Sequence, residues 1–253
     1  MRLPIGRVAG IRLWLHVSWF PVFAVAIWAL TATFADAFPA LPGAERLAMG
    51  LVTAVAFFAS LTTHELSHAL MARRFGIEVR GITLFLFGGV AEIRGEVPTP
   101  AGEFAVAVIG PATSLALASL AGLGSVAASS QGWAGAEGVF FSLAAASLGV
   151  ALFNLVPGLP LDGGRLLRAA VWRLTGSFAS GTRAAAVGGR VLAVAVAAGG
   201  ALLLVRRDLL GLWYGGIGSF LWVLAGRAGR AVPPPPRPGV AWAREGEAAE
   251  PRP

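Results

Sequence analysis

The sequence predicts an all-α polytopic membrane protein of about six transmembrane helices, with a small β-hairpin between spans two and three. Three features lead there. Apolar residues make up 56% of the 253-residue chain and charged residues 13%, with a mean hydropathy of +0.73, a balance that no ordinary soluble core needs. Six apolar segments approach the ~20 residues that cross hydrocarbon as a helix. The basic residues fall in clusters between those segments rather than along one face.

The first segment, 15–34, follows Arg2, Arg7 and Arg12. A cleaved secretory signal is the competing reading, because Ala35-Asp36-Ala37 resembles a small-x-small site, but the run is longer than a signal core and bears Trp14, His16, Trp19 and Trp28, which suit an interfacial anchor. The second segment, 47–71, is followed by Arg73, Arg74, Arg80 and Arg94, whereas no arginine follows the third, 104–125. Arg165, Arg168, Arg173 and Arg183 follow the fourth, 139–156. The fifth is 184–205, and the sixth, 209–224, is short and rich in glycine. Arg46 stands by itself after the first span. By the positive-inside rule both termini and the loops after spans two and four are cytoplasmic; Arg206 and Arg207 fall on the wrong side and conflict with that topology. The formal charge of +7, carried entirely by arginine, is thereby accounted for without nucleic acid as a partner. Residues 1–228 form the membrane domain, and 229–253, Pro-rich with mixed charge, read as a disordered tail.

Between spans two and three the pattern changes. Residues 79–94 are rich in β-branched and aromatic side chains and are split by Gly88-Gly89, so 83–87 and 90–94 are expected to pair as a hairpin. It either dips into the bilayer, where protein or water must satisfy its edges, or lies on the surface.

The chain has no cysteine and only three histidines, His16, His64 and His68, so any metal site must be built from His, Asp and Glu. Thr63-His64-Glu65-Leu66-Ser67-His68 lies inside the second span. Helical geometry brings His64 and His68 onto one face a turn apart, as two imidazoles on one zinc require, and leaves Glu65 placed to take a proton from an activated water. As a mere polar patch between helices, ionisable groups here would each cost about 2.5 kcal/mol or more at the centre of a span, so they need a partner or a purpose.

A third ligand must come from elsewhere in the chain. Asp36 lies on the opposite side by the topology above, and Asp208 sits in an Arg206-Arg207-Asp208 turn where surface pairing explains it. Asp162 falls on the correct side at the end of span four, where Pro157 and Pro160 end the helix and Gly163-Gly164 allow a tight turn. A helix-capping role for Asp162 stays open. Asn154, near the end of that span, is a candidate donor to the oxyanion of a tetrahedral intermediate, or else makes an interhelical hydrogen bond.

At these residues the chain resembles the site-2 protease family of intramembrane metalloproteases, in the helix motif His64-Glu65-Leu66-Ser67-His68 and in the second motif from Asn154 to Gly163. Gly110-Pro111 and Leu86-Phe87-Gly88-Gly89 extend the likeness over spans one to four. The resemblance implies one Zn2+ per chain on His64, His68 and Asp162, Glu65 as general base, and Asn154 steadying the transition state. It also implies an active site that faces the cytoplasm below the surface of a bacterial cell membrane. Its expected partners are the lipid bilayer and a single-span membrane protein substrate, already trimmed by an upstream site-1-type protease. The chain looks like a compact member without a PDZ or CBS domain. His16, in a His-x-Ser-Trp sequence, reads as an interfacial structural residue.

A divalent-cation-binding membrane transporter is the alternative from another class, since intramembrane His and Asp also line ion pathways. Transport has no use for Glu65 between the histidines, and no repeated halves are visible. A catalytically dead relative would have no need of Glu65 either.

Overall fold

The computed structural model describes residues 1–86 and 88–230; the expected tail lies outside them from residue 231 onward. Seven helices and four strands follow in the order β1 (Arg2–Val8), β2 (Ile11–His16), α1 (Trp19–Ala37), α2 (Gly43–Arg74), β3 (Glu78–Phe85), β4 (Gly88–Arg94), α3 (Pro100–Ser130), α4 (Ala134–Asn154), α5 (Asp162–Thr175), α6 (Phe178–Val205) and α7 (Leu210–Arg230). Among the described residues, five helices are long and apolar enough to cross a membrane, namely α1, α2, α3, α4 and α6. The protein is a multi-pass integral membrane protein. The sixth expected segment is helical as α7 and packs against α6, but its glycines and its terminal Arg227 and Arg230 leave it outside those five.

The expected hairpin is half of a larger sheet. Four strands lie in the order β1-β2-β3-β4, with β2 parallel to β3 through Leu13↔Ile82 and Trp14↔Thr83 and β3 antiparallel to β4 through Leu84↔Gly89. Leu13 alternates with the exposed Arg12, and Val79 with Glu78 and Arg80, as strands buried on one side demand. Ile11, Leu13, Val79, Ile82 and Leu84 pack on Ala69 and Ala72 of α2 and Val106 of α3. Arg73, in the last turn of α2, donates to the carbonyls of Ala9 and Gly10 in the β1–β2 turn at 2.7 and 3.3 Å. The sheet is thus fastened to the end of α2.

The first turn of α3 has its own signals. Thr99 accepts from the Gly102 backbone N–H at 3.1 Å, and Pro100 follows it at a position where no N–H is needed. α5, of 14 residues, is too short to span a bilayer; it occupies the stretch that the sequence alone assigns to the loop after span four. Asp208 is a local cap rather than a partner for the neighbouring arginines, since its Oδ1 accepts from the Leu210 backbone N–H at 2.9 Å. The N-terminal strands, the end of α2, the start of α3 and α5 all gather at one end of the bundle, joined by the Arg73 bonds and by ion pairs from Glu103 to α5.

Candidate metal centre

α2 presents His64 and His68 on one face because they stand one helical turn apart. Both are buried, with ring centroids 4.8 Å apart and planes at 80°. Each ring is held from behind by α3. His68 Nδ1–H donates to the Val106 carbonyl oxygen at 2.6 Å, which only a protonated Nδ1 can do, so the neutral ring keeps a lone pair on Nε2. His64 Nδ1 lies 2.9 Å from Ser114 Oγ, and its Nε2 is aimed the same way.

Those lone pairs converge on the first residue of α5. Asp162 Oδ2 lies 3.2 Å from His64 Nε2 and 3.1 Å from His68 Nε2, and the two Nε2 atoms are 3.2 Å apart. His68 Nδ1 is protonated by its bond to Val106, and when Ser114 accepts from His64 Nδ1 in the matching tautomer, three acceptors face one another with no hydrogen between them, an arrangement that a cation resolves. Zinc bonds of ~2.0–2.1 Å to nitrogen and oxygen give a tetrahedral edge of about 3.3–3.4 Å, close to these separations. His64, His68 and Asp162 therefore fit a divalent metal by both chemistry and spacing.

The fourth wall is bare backbone. A Cβ on Gly110 of α3 would overlap His68 Nε2 and lie 2.8 Å from His64 Nε2, so only glycine leaves room there. Glu65 is bounded in the same manner, because a Cβ on Gly89 of β4 would overlap its Cγ and stand 3.1 Å from its Cδ. The hairpin tip therefore lies beside α2 at the level of the histidines, nine residues or about 14 Å from the end of that helix. Gly163 and Gly164 do not supply the tight turn expected of them. Both lie inside α5, and their α-carbons press on the backbone of 155–159, where any Cβ would overlap.

Asn154 is the last residue of α4, and one hydrogen of its amide goes to the Val150 carbonyl of its own helix at 3.0 Å. That bond is neither the interhelical contact nor the catalytic one the sequence suggested. His16 lies outside the cluster: the Ser18 backbone N–H donates to its Nδ1 at 3.3 Å, and Ser18 Oγ, 2.8 Å from the same nitrogen, accepts from the Leu86 N–H at 3.2 Å. It shapes the passage from β2 into α1. The residues the sequence reading missed are Val106, Ser114, Glu103 and Arg165. Glu103 is buried in the first turn of α3 and paired with Arg165 at 3.1 Å and with Arg168. Burial alone would lower the Arg165 guanidinium, yet Glu103 holds it above its ordinary value. An acid in the first turn of an apolar span was the available signal.

The profile of peptidase family M50 matches residues 52–132 and 119–197, which take in His64, Glu65, His68, Gly110 and Asp162. The chain belongs to peptidase family M50. Among its M50 relatives, the "Putative zinc metalloprotease Rip3" of Mycobacterium tuberculosis is 40% identical over 225 residues, covering 88% of this chain and 57% of that protein. A Synechocystis protein of the same description is 39% identical over 227 residues, covering 89% and 59%. The chain thus spans less than two thirds of the length of these relatives. The fold is shared with the site-2 protease from Methanocaldococcus jannaschii, at a TM-score of 0.61 and 24% identity over 92% of this chain and 97% of that one.

Proposed function

We propose that this M50 protein is a zinc-dependent intramembrane endopeptidase, with one zinc per chain on His64, His68 and Asp162. The observation that carries this reading is the convergence of two imidazole lone pairs and a carboxylate oxygen, 3.1–3.2 Å apart, against the bare backbone of Gly110. When bound, a zinc ion in such a site supplies Lewis acidity that polarises a carbonyl and brings the ionisation of water near neutral pH.

The chain's own residues do the rest. Glu65, one residue from a ligand and held in place by Gly89, takes the proton of the attacking water and passes it to the leaving amide nitrogen. Asn154 keeps one amide hydrogen free of the Val150 bond and donates it to the oxyanion, a contribution of about 3 kcal/mol in comparable sites. Val106 fixes the tautomer that points His68 Nε2 at the metal, and Ser114 accepts from His64 Nδ1 when the metal takes its Nε2.

The substrate is a transmembrane segment of a single-span membrane protein, prepared by an upstream site-1-type protease. Its helix must unwind, because a helical carbonyl is bonded and shielded. Among the described residues β4 is the outer strand of the sheet, the position at which an extended segment pairs by strand addition, and its Gly88–Gly89 end reaches Leu61 and Glu65. The gathering of Arg73, Arg165, Arg168 and the N-terminal strands at one end of the bundle supports cytoplasmic termini in a bacterial cell membrane.

The test compares the purified protein in detergent with its Glu65→Gln variant, at equal bound zinc, on a single-span reporter substrate. Loss of cleavage with zinc retained is the expected result. Cleavage unchanged by the substitution overturns the assignment.

A further inference from the structure

Glu103 is 1% exposed and takes no part in the chemistry above, yet it carries a charge inside the protein. Its partners are both on α5. Arg165 Nε donates to Oε1 at 3.1 Å, and Arg168 donates to the same oxygen. Arg168 also lies 3.8 Å from Glu96 and stacks on the Phe178 ring at 4.8 Å, so the cluster fastens α3 to α5 and to the start of α6.

The spacing along α3 gives this cluster a role. Glu103, Val106, Gly110 and Ser114 follow one another at intervals of three, four and four, which puts them in one stripe on the helix. Three members of the stripe set the histidines of α2: Val106 through the His68 bond, Gly110 by leaving the metal position clear, and Ser114 through His64. The fourth, Glu103, grips α5 one turn beyond the ligand, since Arg165 and Asp162 are three residues apart on the same side of that helix. Asp162 has no side-chain cap of its own, Leu161 standing at the N-cap without a capping bond. The close backbone contacts of Gly163 and Gly164 seat the end of α5, and the guanidinium pairs hold its rotation.

We infer that α3 acts as a ruler between the two ligand-bearing helices, with Glu103 and Arg165 as positioning residues that set the Asp162 carboxylate against His64 and His68. This rests on the metal-centre reading. It predicts that weakening the Glu103 pairs loosens the metal geometry while every ligand is still present.

The test measures zinc affinity by chelator competition, and the visible absorption of the Co2+-substituted protein, on the full chain in detergent. Wild type, Glu103→Gln, Arg165→Lys and Asp162→Asn are compared at a temperature where each is folded by its unfolding curve. Glu103→Gln is expected to weaken zinc about 10- to 100-fold, the range for outer residues of metal sites, and to shift or weaken the cobalt bands. A mere loss of stability would leave those bands unchanged in the folded fraction. Arg165→Lys keeps the charge but loses the fixed Nε geometry; it is expected to alter the cobalt bands and serves where Glu103→Gln does not fold. Zinc affinity within twofold of wild type and unaltered bands, in whichever of the two variants folds, overturn the positioning role alone, provided Asp162→Asn abolishes binding. No zinc bound by the wild type overturns the metal centre and the ruler together.

Discussion

Gly110 faces His68 so closely that a methyl group on its α-carbon would overlap Nε2 of the ring. The two residues lie on different transmembrane helices, so this contact fixes how near α3 comes to α2 at the metal position. Gly110→Ala is expected to reduce zinc from about one equivalent to near none, read as metal content after gel filtration. Gly122→Ala, on the same helix with nothing within 4 Å of the new carbon, is expected to retain wild-type zinc.

Gly89 stands against Glu65 rather than against a metal ligand, so its substitution separates the base from the metal. Gly89→Val drives Cβ into Glu65 Cγ and displaces the carboxylate. Peptide cleavage is expected to fall about a hundredfold, as ångström-scale misplacement of a reacting group does, with zinc content unchanged. Equal losses of zinc and activity would place the fault in the metal site.

Ser114→Ala removes the hydroxyl beside His64 Nδ1 and leaves the ligand itself intact. Zinc affinity is expected to fall about 10- to 100-fold by chelator competition. Ser119→Ala, whose hydroxyl donates only to the Leu115 carbonyl of its own helix, serves as the matched substitution without effect.

Metal removal tests the three facing acceptors directly. Zinc at a hundred times its Kd stabilises the folded state by about 2.7 kcal/mol through mass action. Chelation is therefore expected to lower Tm by several degrees and added zinc to restore it. The double substitution of His64 and His68 by alanine is expected to show no shift in either direction.

Much of the centre was legible because its signals are local. His64, Glu65 and His68 lie within five residues of one helix, and Asp162 stands out beside Pro160 and a Gly pair in a chain with few carboxylates. The supports were not legible in the same way. The acceptor for His68 is a backbone carbonyl, which Val106 shares in kind with every other residue. Ser114 is one of several hydroxyl residues in α3, and only the approach of α2 distinguishes it. Gly163 and Gly164 look like a turn in the sequence, whereas packing against 155–159 is what requires them. In the sheet, Arg12, Leu13, Trp14, Leu15 and His16 alternate with the two-residue period of a strand. The adjoining apolar run of α1 hid that pattern, and the partner strand is more than sixty residues away.

The parallel pairing of β2 with β3 has a consequence for how the protein is made. Everything between those strands is the α1–α2 helical hairpin, so the pairing ties both feet of that hairpin to the same side of the bilayer. During synthesis the first two spans enter the membrane before β3 exists to close the sheet. Once it closes, α2 cannot slide without straining the paired strands, and the sheet holds the depth at which His64 and His68 sit.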